Sequence, residues 1–260
     1  MMKNKLDFTT SIVLFKEDLS ELSKTIDCFL KTPLTKKLFL IDNTADKEFE
    51  GVFNQLEVEY IAVGENIGFG TGHNLVIKKI QNQSNYHLIL NPDVSFNPSV
   101  IPNLIAKLDR HDVVSMIAPK VLFPNGEYQH SCRRYPKILE LLARRFTFLA
   151  PLVASLIRNG IYNDMNLETS FFADYITGCF HLYKTDDFVA LNGFDERYFL
   201  YMEDVDICRK IEKLDKKKLY YPKEEITHVL KQGSSKQTNL FFIHTSSAIK
   251  YFMKWGFKLT

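Results

Sequence analysis

Three short stretches of this sequence carry side chains suited to metal, acid–base or phosphate chemistry. In the first, Asn91-Pro92-Asp93, a carboxylate follows an apolar run, and the proline stops a strand ladder from continuing, so the chain must turn there. A carboxylate at such a sheet edge can hold a divalent ion. Mg2+ or Mn2+ on a diphosphate takes only one or two protein carboxylates, with water and phosphate oxygens filling the rest. Asp93 would serve equally as a turn residue or a cap for the next helix. In the second stretch, Glu203-Asp204-Val205-Asp206, three carboxylates in four residues open a helical pattern behind the aromatic run Tyr198-Phe199-Leu200-Tyr201. The positive helix N-terminus accounts for part of this, and Asp206 can pair with Arg209 or Lys210. Mutual repulsion and aromatic neighbours raise the proton affinity of at least one of these acids, as a general base requires.

The third stretch, Asn66-Ile67-Gly68-Phe69-Gly70-Thr71-Gly72-His73-Asn74, is a glycine-rich loop between a strand and a helix. Its spacing matches neither the Walker phosphate loop nor the full dinucleotide fingerprint. It reads either as a tight turn with close helix packing, or as a loop approaching a nucleotide with Asn66 and Asn74 as hydrogen-bond partners. His228 sits in a late polar segment ahead of Gly233-Ser234-Ser235, where a lone histidine is more often structural than a ligand. Asp42-Asn43 is a turn-like pair whose aspartate could accept from a pyrimidine or a ribose.

Positioning these groups calls for alternating strands and helices. Thr10 to Phe15, Lys37 to Ile41, Val58 to Val63 and His87 to Leu90 read as strands, and Asp18 to Leu30 and Gly70 to Ile80 as helices between them. Such alternation implies a doubly wound, mostly parallel α/β sheet whose ligands bind beyond the carboxyl ends of the strands. Asp42-Asn43 and Asn91-Pro92-Asp93 both fall at such ends. A helix from Pro98 to Leu108 and a strand near Val113 to Ala118 follow. Beyond them the pattern is mixed: an extended run Tyr175 to Tyr183, a helix from Glu203 to Leu214, and a terminal helix from Leu240 to Lys254. That aromatic terminal helix could pack on the core, a partner or lipid, and oligomeric state stays open.

With 260 residues, 45% hydrophobic and 25% charged, the chain suits one globular catalytic unit. A net charge of +2 from 33 basic and 31 acidic residues makes no case for a nucleic-acid partner. Four cysteines, Cys28, Cys132, Cys179 and Cys208, lie far apart without CxxC spacing; this argues against a zinc site or a disulfide framework and fits a reducing cytoplasm. Met1 to Asp7 lacks the features of a signal peptide. The apolar run Phe146 to Ile157 falls short of the ~20 residues that span a bilayer. Flanked by Arg144, Arg145 and Arg158, it reads either as a segment lying on an anionic membrane surface or as a core helix broken at Pro151.

Taken in order, Ile41-Asp42-Asn43, the Asn66 to Asn74 loop, Leu90-Asn91-Pro92-Asp93, and the block running from Gly178-Cys179-Phe180 through Gly193-Phe194-Asp195-Glu196-Arg197-Tyr198-Phe199 to Glu203-Asp204-Val205-Asp206 resemble a family 2 glycosyltransferase of the bacterial rhamnosyltransferase-like branch. The resemblance covers nearly the whole chain, and the last block is its most specific part. It implies a single GT-A domain: a nucleotide-sugar-binding half over 1–120, an acceptor and catalytic half over 121–237, and a C-terminal helix over 238–260. Asp42, Asn43, Asn66, Gly68, Gly70, Asn74 and Asn91 would then serve the donor, and Glu203, Asp206 and Gly178 the acceptor side. Asp204 would be the base. Asp93 would hold Mg2+ or Mn2+ in the place of the second DXD aspartate, with His228 a further metal or diphosphate contact. Asn91 stands where the first DXD aspartate would be, and Phe15-Lys16 where the first strand often ends in Tyr-Asn. The implied reaction is an inverting transfer, with dTDP-L-rhamnose as donor and a surface-glycan, O-antigen-type or lipid-linked oligosaccharide as acceptor. It would take place in the cytoplasm, with a peripheral contact at the inner face of the membrane. The alternatives are a non-catalytic nucleotide-sugar-binding or scaffold member of the same fold, and a sugar nucleotidyltransferase. The latter would want a basic, glycine-rich loop after the first strand, where Phe15-Lys16-Glu17-Asp18 stands.

Overall fold

A computed structural model describes residues 5–140, 154–230 and 238–257. Arg144, Arg145, Phe146 to Pro151 and Gly233 to Ser235 lie outside them. Strands β1 (Leu6–Leu14), β2 (Lys36–Asp42), β3 (Val58–Ala62) and β4 (Ser84–Leu90) pair in parallel in the order β3-β2-β1-β4. The β-branched and apolar runs of β1, β2 and β4 are buried on both faces, as a sheet covered by helices on each side demands, while the edge strand β3 is only half-buried. Helix α1 (Leu19–Lys31) starts where Asp18 caps it, its carboxylate accepting from the Ser20 and Glu21 N–H groups. The helix buries Leu22, Ile26 and Phe29 against the sheet. The expected single helix from Gly70 to Ile80 is instead two short ones, α2 (Phe69–Asn74) and α3 (Ile77–Ile80). The Asn74 side chain is committed to tertiary bonds at the break, as described below.

The sheet continues through β5 (Val94–Phe96), helix α4 (Val100–Leu108) and β6 (Val114–Leu122), then a two-stranded pair of β7 (Cys132–Arg133) with β9 (Tyr175–Ile176). Helix α5 (Ala154–Gly160), β8 (Phe171–Phe172), β10 (Phe180–Lys184) and helix α6 (Thr185–Ala190) follow. The expected extended run Tyr175 to Tyr183 is thus interrupted at Thr177 to Cys179. Among the described residues the main sheet has nine strands in the order β3-β2-β1-β4-β10-β6-β11-β5, with β8 beside β11 (Lys217–His228). Strand β10 is antiparallel to both β4 and β6, whereas β11 runs parallel to β6.

Helix α7 (Glu203–Glu212) carries the acidic cluster, and α8 (Thr238–Trp255) packs over it. The inner face of α8 buries Tyr251 and Phe252 in the core. Its outer face exposes Phe242, Ile249 and Met253. Among the described residues no helix is long and apolar enough to cross a membrane.

A polar seam lies inside the sheet. The Ser11 hydroxyl sits 2.7 Å from His73 Nδ1 and 3.0 Å from His87 Nε2, and Thr9 meets His87 Nδ1 at 2.9 Å. His181 donates from Nε2 to the Ile176 carbonyl (2.9 Å) and meets the Tyr183 hydroxyl at Nδ1 (3.0 Å). Burial lowers the proton affinity of all three histidines, to about 3 for His87 and about 4 for His181, with His73 also well below its usual value. Each is neutral when folded and takes up a proton on unfolding, so stability is lost as pH falls below the unfolded value of about 6.5. Urea midpoints of a Glu203→Gln variant, which removes the opposing titration of that buried acid described below, are expected to fall steadily from pH 7 to pH 5 when followed by Trp255 fluorescence. Well below pH 6.5 the slope is about 1.4 kcal/mol per pH unit for each histidine. A flat midpoint over that range would show that these rings are already charged in the folded state.

Candidate active site

Asp93 is fixed by helix α1. The Thr25 hydroxyl donates to the Pro92 carbonyl (2.7 Å) and accepts from the Val94 N–H (3.1 Å), so it clamps the turn on both sides of the aspartate. Strand β11 then runs antiparallel beside β5, placing His228 opposite Val94, and the Val229 N–H reaches the Asp93 carbonyl (3.1 Å). His228 Nε2 thereby lies 3.3 Å from Asp93 Oδ1 and 3.3 Å from Asn91 Nδ2, while its Nδ1 is 2.7 Å from Gln129 Oε1. Burial disfavours a charged His228, but the Cys179 sulfur and the Asp93 carboxylate outweigh it and raise its proton affinity. Asp93 does not cap the following helix, whose N-cap is Ser99. An oxygen and an imidazole nitrogen this close on one cavity wall suit Mg2+ or Mn2+. Among the described residues no group of three His, Cys, Asp or Glu side chains forms a metal cage. Such an ion would complete its shell with water and substrate oxygens.

The glycine-rich loop lines the same cavity. Asn43 donates from Nδ2 to the Gly68 carbonyl (3.1 Å), and Asn66 Oδ1 accepts from the Gly68 N–H (3.0 Å). Asn43 lines two cavities that meet at this wall, and its Oδ1 is buried without a hydrogen-bond partner. Gly68 has φ +89° and ψ 173°, a region essentially restricted to glycine. A Cβ there would drive into the Phe199 carbonyl, which instead accepts from the Phe69 N–H (3.1 Å). Three expected donor contacts lie elsewhere. Asp42 is fully buried, one oxygen accepting from the Thr44 N–H and hydroxyl and the other from the Tyr60 hydroxyl (2.6 Å). Gly70 is a packing glycine, since a Cβ would meet Phe194 at 2.8 Å. The Asn74 amide bonds both the N–H and the carbonyl of Phe194, each at 2.9 Å, and so holds the Gly193 to Glu196 turn instead of a ligand.

On a further wall, Asp204 accepts from the Gly178 N–H (3.3 Å) and from the Val205 N–H (2.8 Å). Burial still raises its proton affinity above the ordinary carboxylate value. Glu203 is more deeply buried, next to Gly70, and its Oε2 has no hydrogen-bond partner. Burial, with the Asp204 charge beside it, pushes it to about 8. Asp206, expected on the acceptor side, points the other way. Fully buried, it accepts from the Tyr198 hydroxyl (3.2 Å), Lys254 Nζ (2.9 Å) and Trp255 Nε1 (2.6 Å), tying α7 to α8. Its expected partners go elsewhere, Arg209 to the Tyr251 hydroxyl and Lys210 to the Gly193 carbonyl. Two consecutive left-handed residues, Tyr201 (φ 68°) and Met202 (φ 69°), lead into α7.

These walls enclose two adjoining cavities. One, of about 350 Å3, holds Asn43, Asn66, Gly68, Asn91 and Asp93. The other, of about 580 Å3, holds Gly178, Glu203 and Asp204 together with Gln129 and Arg133. Phe69, Asn91, Leu200, His228 and Leu230 line both, so the two open into one cleft of the size that takes a small ligand. Gln129 and Arg133 escape sequence reasoning because their stretch, Tyr128 to Arg133, has no periodicity or spacing of its own. The unsatisfied Asn43 oxygen likewise follows only from three-dimensional packing.

The chain belongs to glycosyl transferase family 2, whose model matches residues 10–167. It is 27% identical over 181 residues to the N-acetylglucosaminyl-diphospho-decaprenol L-rhamnosyltransferase of Mycobacterium tuberculosis, a match covering 66% of this chain and 58% of that protein. The chain therefore spans less than two thirds of that relative. It is 24% identical over 204 residues to the rhamnosyltransferase WbbL of Escherichia coli, covering 75% of this chain and 73% of the relative. Among solved structures, GalNAc-T7 with UDP, GalNAc and Mn2+ aligns with a TM-score of 0.65 at 14% identity, over 88% of this chain and 44% of that one. The mannosyltransferase PcManGT of Pyrobaculum calidifontis, in complex with GDP-Man and Mn2+, aligns at 0.57 and 12% identity, over 88% and 58%. The fold is GT-A.

The burial of Glu203 has a measurable consequence. Its proton is retained in the folded state between the usual value of 4.5 and about 8, so proton-linked stability is present below pH 4.5 and gone above pH 8. Glu203→Gln mimics the protonated form. Its stability advantage over wild type is expected to grow from pH 5 to pH 8, by about 1.4 kcal/mol per pH unit, and to level off above. A difference independent of pH in thermal melts would show that Glu203 is ionised in the folded protein.

Proposed function

We propose that this member of family 2 catalyses an inverting, metal-dependent transfer of a sugar from a nucleoside-diphosphate donor to an acceptor hydroxyl. The donor we assign is dTDP-L-rhamnose, and the acceptor a lipid-linked or surface-glycan oligosaccharide at the cytoplasmic face of the membrane. The observation that carries the reading is the shared cleft. The Asp93–His228 pair and the Asp204 carboxylate open onto adjoining cavities with common walls, as donor diphosphate and acceptor hydroxyl require. The names of the two relatives support rhamnose as the sugar, and that of the mycobacterial protein supports a diphospho-lipid acceptor.

In this reading Asn43 and Asn66, which line the first cavity, face the nucleotide end of the donor. Asp93 and His228 would hold Mg2+ or Mn2+, which when bound would offset charge growing on the leaving diphosphate. Asp204 takes the proton from the acceptor hydroxyl as that oxygen attacks the anomeric carbon. The C–O bond to the new acceptor forms as the bond to the diphosphate breaks, and this single displacement inverts the anomeric centre. Burial of Asp204 strengthens it as a base, while the Gly178 N–H aims one of its oxygens.

A thermal-shift series with dTDP, UDP and GDP sugars is expected to raise the melting temperature only when Mn2+ or Mg2+ is present. Asp93→Ala should abolish the metal-dependent part of that rise. Asp204→Asn should keep it while lowering turnover by roughly 10²–10⁴-fold, the usual contribution of a general base. Wild-type turnover in Asp204→Asn would remove the base assignment. Binding without transfer to any acceptor would favour a non-catalytic member of the fold.

A further inference from the structure

We infer that Gln129 is a positioning residue, which holds the His228 ring with Nδ1 as donor and turns Nε2 toward Asp93 as a lone-pair ligand. The inference rests on the reading of Asp93 and His228 as metal ligands. A neutral imidazole has one N–H, and the partner of one nitrogen decides what the other can do. Asp93 Oδ1, 3.3 Å from Nε2, accepts from that nitrogen while no ion is bound; an ion on Nε2 takes the place of that proton and leaves the single N–H on Nδ1, where the neighbours hold it. The Gln129 amide oxygen, which can only accept, lies 2.7 Å from Nδ1. On the other side the Asn91 amide nitrogen, which can only donate, lies 3.3 Å from Nε2. Gln129 also donates from Nε2 to the His228 carbonyl (3.4 Å), so it grips both the ring and the backbone of the residue it orients. Its own N–H is bonded to the Val121 carbonyl (2.9 Å), and Val121 pairs with Ile226 in the strand that carries His228. The clamp is thus built on the two strands that position the ligand. Both side chains are buried, so water does not substitute readily for the lost partner.

The test compares wild type, Gln129→Leu and Gln129→Glu in two measurements. The first is Mn2+ affinity in the presence of dTDP, by electron paramagnetic resonance titration. Gln129→Leu is expected to weaken it by roughly 10–100-fold, the usual effect of removing such a partner. Gln129→Glu still accepts from Nδ1 and should stay within about threefold of wild type. The second is the slowly exchanging Nδ1–H signal of His228 in 15N-histidine-labelled, metal-free protein, expected in wild type and Gln129→Glu and lost in Gln129→Leu. Wild-type affinity together with a retained Nδ1–H signal in Gln129→Leu would overturn the inference, as would a Glu variant as weak as the Leu variant. If wild type itself shows no Mn2+-dependent binding of dTDP, the donor reading falls, and the metal-free signal alone decides whether Gln129 orients the ring.

Discussion

The arrangement depends on one strand running the wrong way. Strand β10 lies antiparallel between β4 and β6, with Phe180 opposite Leu90, so the start of β10 sits at the carboxyl edge where β4 ends. At that edge the Asn91 N–H bonds the Cys179 carbonyl (2.9 Å), and the next residue back, Gly178, bonds Asp204. A single register therefore sets the turn that carries Asp93 beside the helix that carries Asp204, although 111 residues separate them in the chain (204 − 93). In a purely parallel sheet, the beginning of this strand would lie at the opposite edge from the ligand-binding ends.

Around that register the chain spends much of its polar chemistry on bracing. Asp195 is held well below the usual carboxylate range by Arg197 and Lys254, and Asp206 is saturated by Tyr198, Lys254 and Trp255. A buried carboxylate is tolerable only when so compensated, and removing one partner of a buried pair costs about 3–5 kcal/mol. The bracing also links the elements: Lys254 on α8 bridges the turn at Asp195 to helix α7 at Asp206, while Asn74 on α2 holds the same turn from the other side. The acidic helix is thus supported through side chains that never reach the cleft.

Much of this was legible in the sequence. The parallel half, the turn at Pro92, the helix at Glu203 and the family itself follow from apolar runs, proline and motif order, and the structure has them where those signals put them. Burial of individual side chains is harder to read. Asp42, Asn74 and Asp206 belong to motifs that resemble functional ones, and each is consumed inside the protein by partners 18, 120 and 49 residues away. No local pattern announces Tyr60, Phe194 or Trp255 as those partners. Gln129 is the reverse case, a residue with no motif around it that three-dimensional neighbours single out. The break in the helix at Asn74 has the same origin, because a tertiary bond outbid a local periodicity.

The left-handed pair Tyr201–Met202 has a consequence for anyone who would make this protein sturdier. Non-glycine residues in that conformation cost on the order of 1–3 kcal/mol each, and here they immediately precede two crowded carboxylates, one of them kept neutral by burial. Glycine at 201, or an apolar residue at 203, would relieve a local penalty, whereas Met202 is buried in the core and its truncation would cost more than the strain it carries. On the base role proposed for Asp204, the same relief would loosen its aim and trade heat tolerance at this corner against catalytic speed.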